Sequence, residues 1–195
     1  MPPPETLEDI LRGNPDLATL LDRFAAIALP DAWIVAGALA QTVWNHRHGL
    51  PPGYGIRDID IIYHDPADLS EAAEAAHEAR LRAEFSTLSA RLDVKNQARV
   101  HLWYERRFGR AIAPYPSSVA AIATFPATAT AIGVRPILRG LEVYAPFGLG
   151  DLRAGIVRAN RTLVSEAVYT AKAARWAANW PGLNVQPWCE NPGAR

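Results

Sequence analysis

Asp58 and Asp60 stand two apart in Ile-Arg-Asp-Ile-Asp-Ile-Ile-Tyr, residues 56–63. Apolar and charged residues alternate here with the period of a half-buried strand. Alternate strand residues share a face, so both carboxylates project together while Ile59 and Ile61 face the core. Carboxylates this close repel each other, and one is partly protonated unless a cation neutralises the pair. Mg²⁺ (or Mn²⁺) suits them, because a hard ion takes oxygen ligands and shares them with substrate phosphates. The competing reading is a solvated strand face. Asp93 lies in a second strand-like run, Arg-Leu-Asp-Val-Lys at 91–95, with apolar residues on either side. If the two strands are neighbours, three carboxylates converge, as metal-assisted phosphoryl or nucleotidyl transfer requires. Otherwise Asp93 is a strand-end carboxylate paired with Lys95 or Arg91.

Val35-Ala36-Gly37-Ala38 reads as a strand entering a helix through glycine. Glycine allows close backbone approach, and a helix N-terminus offers free N–H groups to phosphate. The bland alternative is a tight turn. Arg57 flanks the acidic pair, either beside the site or in a surface ion pair. Lys95, Asn96, Arg99 and His101 form a polar run just after Asp93. There, Lys95 or Arg99 would neutralise phosphate and Asn96 would bond a ribose or base; the alternative is a solvated turn. His46 and His48 fit a helix C-terminus, where the dipole favours them. Thr128, Thr130 and Arg135 are read as strand packing. Trp176, Trp180 and Trp188 are read as sealing a helix onto the domain rather than stacking a base. Lys172 and Arg175 lie within reach of phosphate on the last helix, but a solvated face is the expectation. Cys189 reads as incidental.

These residues need a scaffold. Apolar spacing over residues 7–28, broken at Gly13-Asn14-Pro15, predicts two short helices. Residues 32–35 suit a buried strand, and 38–44 resume helical character. Ser70 opens an Ala/Glu/Arg-rich helix over 71–88, with Glu74 near the capping position. Strands are expected at 91–94, 100–104, 131–134 and 141–144, and a loop with a short helix at 115–130. Residues 165–180 form a helix ended by Pro181 and Gly182. The mixture predicts an α/β (α+β) fold, a mixed β-sheet flanked by helices, over one domain spanning 1–195 with its core at about 5–188.

Composition narrows the function classes. The 195 residues carry 20 Lys plus Arg against 20 Asp plus Glu, with 49% hydrophobic residues. That is globular rather than disordered. The neutral total argues against an extended nucleic-acid footprint or a polybasic membrane surface. One cysteine rules out an intrachain disulfide framework and a multi-cysteine zinc site. The longest apolar stretch, 24–44, is interrupted by Pro30, Asp31 and Gln41, so no membrane span is expected. With no secretory pattern at the N-terminus, a cytoplasmic protein is expected.

Taken in order, strand–Gly–helix, D-x-D strand, helix and acidic strand resemble the nucleotidyltransferase superfamily with the DNA polymerase β-like palm. The chain is also similar to a small bacterial nucleotidyltransferase-like branch of it. The stretches that carry the likeness are Ala-Gly-Ala at 36–38, Asp-Ile-Asp at 58–60 and Val-Lys-Asn-Gln-Ala-Arg-Val-His-Leu-Trp-Tyr at 94–104. Thr-Ala-Thr-Ala-Ile-Gly-Val-Arg at 128–135, Ala-Pro-Phe-Gly-Leu at 145–149 and the Trp176, Trp180, Trp188 tail add to it. The resemblance covers residues 5–188. It implies a nucleotidyltransferase-like fold and Mg²⁺ or Mn²⁺ on Asp58 and Asp60, with Asp93 as third ligand or general base. It implies an NTP whose phosphates meet the Gly37-Ala38 backbone, with Arg57, Lys95, Asn96 and Arg99 nearby. Where the superfamily commonly has Ser or Gly after its first glycine, Ala38 stands here and supplies only a backbone N–H. The implied reaction moves a nucleoside monophosphate from an NTP to an acceptor hydroxyl, the acceptor being a small molecule or protein rather than a long nucleic acid. A nucleotide-binding regulator, or half of a two-protein module, is the alternative.

Overall fold

The computed structural model describes residues 5–188; residues 1–4 and 189–195, Cys189 among them, lie outside the described part. Two short helices open the chain, α1 (Leu7–Arg12) and α2 (Pro15–Asp22). Thr6 and Asp9 cap α1 reciprocally, and the Asn14 side chain accepts from the Asp16 and Leu17 N–H groups ahead of Pro15. Asn14 is buried and also donates to Thr42 Oγ1 and the Pro52 carbonyl, which fastens α2 to the next helix.

The central sheet has five strands in the order β3-β2-β1-β4-β5. They are β1 (Trp33–Val35), β2 (Asp58–Tyr63), β3 (Arg91–Asn96), β4 (Gly133–Pro136) and β5 (Leu141–Tyr144). β2 and β3 run parallel, and the other pairs are antiparallel. Period-2 alternation gives the sheet two unlike faces. On one, Ile34, Ile59, Ile61, Leu92, Val94 and Val134 are buried in an apolar cluster that includes Leu17, Leu39, Trp44 and Leu81. That face packs against α2, α3 (Gly37–Arg47) and α4 (Glu71–Glu84). On the other, Trp33, Val35, Ile62 and Ile122 of α6 (Ser118–Ile122) form a smaller buried cluster, with Val119, Phe125 and Tyr144 packed against it, which leaves room for a cleft.

β3 is an edge strand, and α4 covers its free edge with side chains. Glu74 accepts from the Asn96 N–H at 2.8 Å, Glu78 accepts from the Val94 N–H at 3.1 Å, and Arg82 donates to the Leu92 carbonyl at 2.9 Å. Residues four apart lie on one helical face, and alternate residues of the strand point their backbone groups the same way. The three side chains therefore stand in for a missing strand and satisfy groups that would otherwise invite pairing with another chain. α4 ends at Glu84, one turn short of the expected Leu88.

The aromatic run expected as a strand at 100–104 is helical. After β3 the Asn96 side chain accepts from the Ala98 N–H, a 3₁₀ turn follows at Gln97–Arg99, and α5 spans His101–Phe108. The physical reason is period: Trp103 and Arg107, like Tyr104 and Phe108, are four apart and share one helical face. Short segments α7 (Gly150–Ala154), β6 (Ile156–Val157) and β7 (Asn184–Val185) were not foreseen.

The last helix, α8 (Glu166–Asn179), is opened by Ser165, whose hydroxyl accepts from the Val168 N–H. Trp176 and the following Trp180 lie edge-on to Trp44 of α3, with ring centroids 5.8 and 5.6 Å apart. Each such pair adds about 0.5–1.5 kcal/mol beyond its burial. Trp180 also donates to Asn45 Oδ1 at 2.7 Å. Its ring lies over Gly55 (φ +72°), where a Cβ would come within 2.8 Å of it. Gly55→Ala is therefore expected to cost about 2–4 kcal/mol, from the left-handed backbone and the displaced ring. Urea unfolding measures it, and a loss below about 1 kcal/mol would mean that Trp180 yields freely. Among the described residues no helix is long and apolar enough to cross a membrane.

Candidate active site

The parallel register of β2 and β3 places Asp60 opposite Asp93, and Asp58 opposite Arg91. Facing residues of a parallel pair share a face, so Asp58, Asp60 and Asp93 all project from the open side of the sheet. Asp58 is exposed and does not itself line the cleft, while Asp60 and Asp93 are half-buried and line a cleft of about 600 Å³. Burial pushes the Asp60 carboxyl up to about 7, helped by the charges of Asp58 and Asp93 and opposed by Lys172 and Lys95.

Lys95 is the first counter-charge. Its Nζ lies 2.8 Å from Asp93 Oδ1 and 3.0 Å from Glu78 Oε2. Burial alone would lower the Lys95 pKa, but these two carboxylates outweigh it and raise it. Burial would likewise raise Glu78, yet the Val94 N–H and Lys95 hold it below its ordinary value. Asp93 is thereby drawn toward Lys95, and among the described residues no three acidic, His or Cys side chains are gathered into a ready-made ion cage. The donor set still fits a hard divalent ion: carboxylate oxygens only, on one face, with Asp60 raised by burial first and by the charges of Asp58 and Asp93 after it.

The β1–α3 turn reaches the same cleft. Ala36, which lines it, has φ 61° and ψ −125°, a strained conformation for a residue with a Cβ. No side chain caps α3. Its first-turn N–H groups, those of Gly37 and Ala38 among them, have no partner within the helix. Gly37 supplies space, since a Cβ there would stand 3.1 Å from Gln41 Nε2. Ala38 is buried and its carbonyl accepts from Thr42 Oγ1.

Asn96 and Arg99 are not brought to the carboxylates. The Asn96 amide donates to the Asp65 and Asp68 carbonyls and accepts from the Asp65 and Ala98 N–H groups. All four of its hydrogen-bonding positions are occupied within the protein. The buried Arg99 guanidinium pairs with Glu74 at 3.0 Å and donates to the Leu69 carbonyl. Arg57 is exposed ahead of β2, where its carbonyl accepts from the Arg91 N–H. His46 pairs with Glu5, and Arg135 with Asp31 and Glu142, away from the cleft.

Lys172 departs from its expected place on a solvated face: it is half-buried and lines the cleft with Asp60 and Asp93. Burial, Arg175 and Arg107 lower its pKa against the pull of Asp60 and Asp58. Arg175, three residues on, is exposed as expected. The only sequence signal was helical spacing from Tyr169 and Trp176, which marks the buried face but not what lies across from its border.

A sheet with helices on one face and a carboxylate-floored cleft on the other is the nucleotidyltransferase-like fold. The family model described as nucleotidyltransferase matches residues 22–185, and the chain belongs to that family. A solved structure described as a CCA-adding enzyme head domain, determined by NMR, is similar at 27% identity. The match has a TM-score of 0.76 and covers 93% of this chain and 94% of that one. No curated protein matches the chain in sequence.

Proposed function

We propose that residues 1–195 form one metal-dependent nucleotidyltransferase unit, acting in the cytoplasm, that transfers a nucleoside monophosphate from an NTP to an acceptor hydroxyl. The observation that carries this reading is the register that sets Asp60 beside Asp93 on the same face as Asp58. Family membership and the head-domain likeness support it. Asp58, Asp60 and Asp93 would hold Mg²⁺ or Mn²⁺. Such an ion lowers the pKa of an attacking hydroxyl and neutralises charge on the phosphates. The α3 N-terminus at Gly37 and Ala38 receives phosphate oxygens through backbone N–H groups. Lys95 holds Asp93 in position, and Lys172 faces the phosphates as a cation. The acceptor oxygen bonds to the α-phosphorus while the bond to the bridging oxygen breaks. Pyrophosphate leaves with that electron pair, and the acceptor proton passes to Asp93 where it serves as general base, or to solvent where it serves as third ion ligand. A small molecule or protein side chain is the acceptor class that the neutral composition favours.

Calorimetry with Mg²⁺ and each NTP tests the site. The Asp58→Ala, Asp60→Ala double variant is expected to bind nucleotide at least tenfold more weakly, a loss of about 1.4 kcal/mol or more. Equal binding would remove the metal assignment. Ala38, with no hydroxyl for phosphate, favours a second reading as a nucleotide-binding regulator. Tight nucleotide binding without pyrophosphate release over a broad acceptor panel would select it.

A further inference from the structure

One wall of the cleft has no part in the transfer chemistry above. Trp103, Tyr104 and Phe108 of α5 line it, with Tyr115 and Phe125 from the segment around α6. α5 buries none of its residues, and Phe108 is 43% exposed. The rings form a continuous surface: Tyr104 and Phe108 have centroids 4.6 Å apart, and Trp103 lies 6.1 Å from Tyr104. Core aromatics of this protein, such as Trp33, Trp44 and Trp180, are fully enclosed, so the α5 rings are not an ordinary piece of core.

Charge in the same cleft says what covers them. Lys172 forms no ion pair among the described residues, and Arg107 lines the cleft with its guanidinium 5.5 Å over the Phe108 ring. A ligand matching both features carries a flat ring at one end and a polyanion at the other. The cleft volume of about 600 Å³ lies within the usual range for a small-molecule site. Polar groups beside the rings are already engaged: the Tyr115 and Thr124 hydroxyls bond each other at 2.7 Å, and Thr124 donates to the Ala121 carbonyl. The wall therefore offers π-faces, which tolerate any base, more than groups that read a base edge.

We propose that the α5 wall of Trp103, Tyr104 and Phe108 is the platform on which the nucleobase of the bound nucleotide stacks. This rests on the nucleotide reading of the site and deepens it. Base-on-aromatic stacking lost by truncation weakens binding roughly tenfold to a hundredfold.

The test compares an NTP with inorganic triphosphate by calorimetry, in the full chain with Mg²⁺. Trp103→Ala plus Tyr104→Ala is expected to weaken NTP binding by that factor and to leave inorganic triphosphate unchanged. Trp103→Phe, which keeps a ring, is expected to retain affinity within about threefold. Circular dichroism of each variant reports folding, and should the double truncation unfold, the single change Tyr104→Ala at a half-exposed position is expected to weaken NTP binding about fivefold or more and to leave inorganic triphosphate unchanged. Unchanged NTP binding, or an equal loss for both ligands, would overturn the stacking platform. Failure of the transfer reading looks different. The same truncation would still weaken NTP binding in a chain that releases no pyrophosphate, whereas a failed platform leaves pyrophosphate release with an unaltered KM for NTP.

Discussion

Replacing Asp60 by asparagine is expected to abolish nucleotidyl transfer while stabilising the metal-free protein at neutral and alkaline pH. Loss of a central carboxylate from the ion-binding set costs several kcal/mol of transition-state stabilisation, on the order of a thousandfold in rate. The stability effect has the opposite sign. Burial, with Asp58 and Asp93 nearby, raises the Asp60 carboxyl from 3.8 to about 7. Between those values the folded chain binds a proton that the unfolded chain has released. Stability therefore falls as pH rises through this window, and the penalty is complete above about 7. Its ceiling is about 4 kcal/mol, from 1.36 kcal/mol per tenfold change in proton affinity. Urea unfolding of metal-free wild type at pH values from about 4.5 to 8 should show that decline, and Asp60→Asn should not. Adding Mg²⁺ should recover stability in the wild type alone. Parallel curves for the two proteins would mean that Asp60 carries no such stress. The gain in stability on losing a functional group is the usual signature of a site built under electrostatic tension.

Glu74→Ala is expected to be the most damaging single change outside the carboxylate cluster. Glu74 accepts from the buried Asn96 N–H and pairs with Arg99, and both side chains of that pair are only 10% exposed. Removing the carboxylate strands a buried guanidinium, at about 3–5 kcal/mol, and orphans a backbone donor, at about 1–3 kcal/mol. Against a typical total of about 5–15 kcal/mol, the variant should be largely unfolded or close to it. A denaturant midpoint near that of the wild type would refute this account of α4. The paired replacement Glu74→Met with Arg99→Leu removes both charges together and so avoids the stranded charge, leaving only the cost of the orphaned Asn96 N–H, about 1–3 kcal/mol. That variant should fold better than Glu74→Ala and keep its affinity for NTP. A folded double variant that no longer binds NTP would return Arg99 to the nucleotide site.

Arg99 and Asn96 illustrate what residue type alone cannot decide. In the run Lys-Asn-Gln-Ala-Arg at 95–99, Lys95, Asn96 and Arg99 each have the chemistry of a phosphate or ribose contact. Lys95 and Gln97 line the cleft, whereas Asn96 closes the turn after β3 and Arg99 is taken by Glu74, 25 residues earlier in the chain. The aromatic run that follows was ambiguous for a different reason. A short apolar stretch fits a strand or one face of a helix equally well, and the 3₁₀ turn at Gln97–Arg99 resolves it.

What the amino-acid order determined by itself is what local periodicity encodes. The shared face of Asp58 and Asp60, the Ser70 cap, the break at Gly13-Asn14-Pro15 and the helix that carries Trp176 all follow from neighbours within a turn or a pleat. The tertiary structure alone decided which elements stand side by side. It put Asp93 opposite Asp60 through a parallel pairing, brought Lys172 across from both, and turned α5 so that its rings face the cleft. Period constrains the direction of a side chain relative to its own backbone, whereas the partner it meets depends on burial and pairing summed over the whole chain.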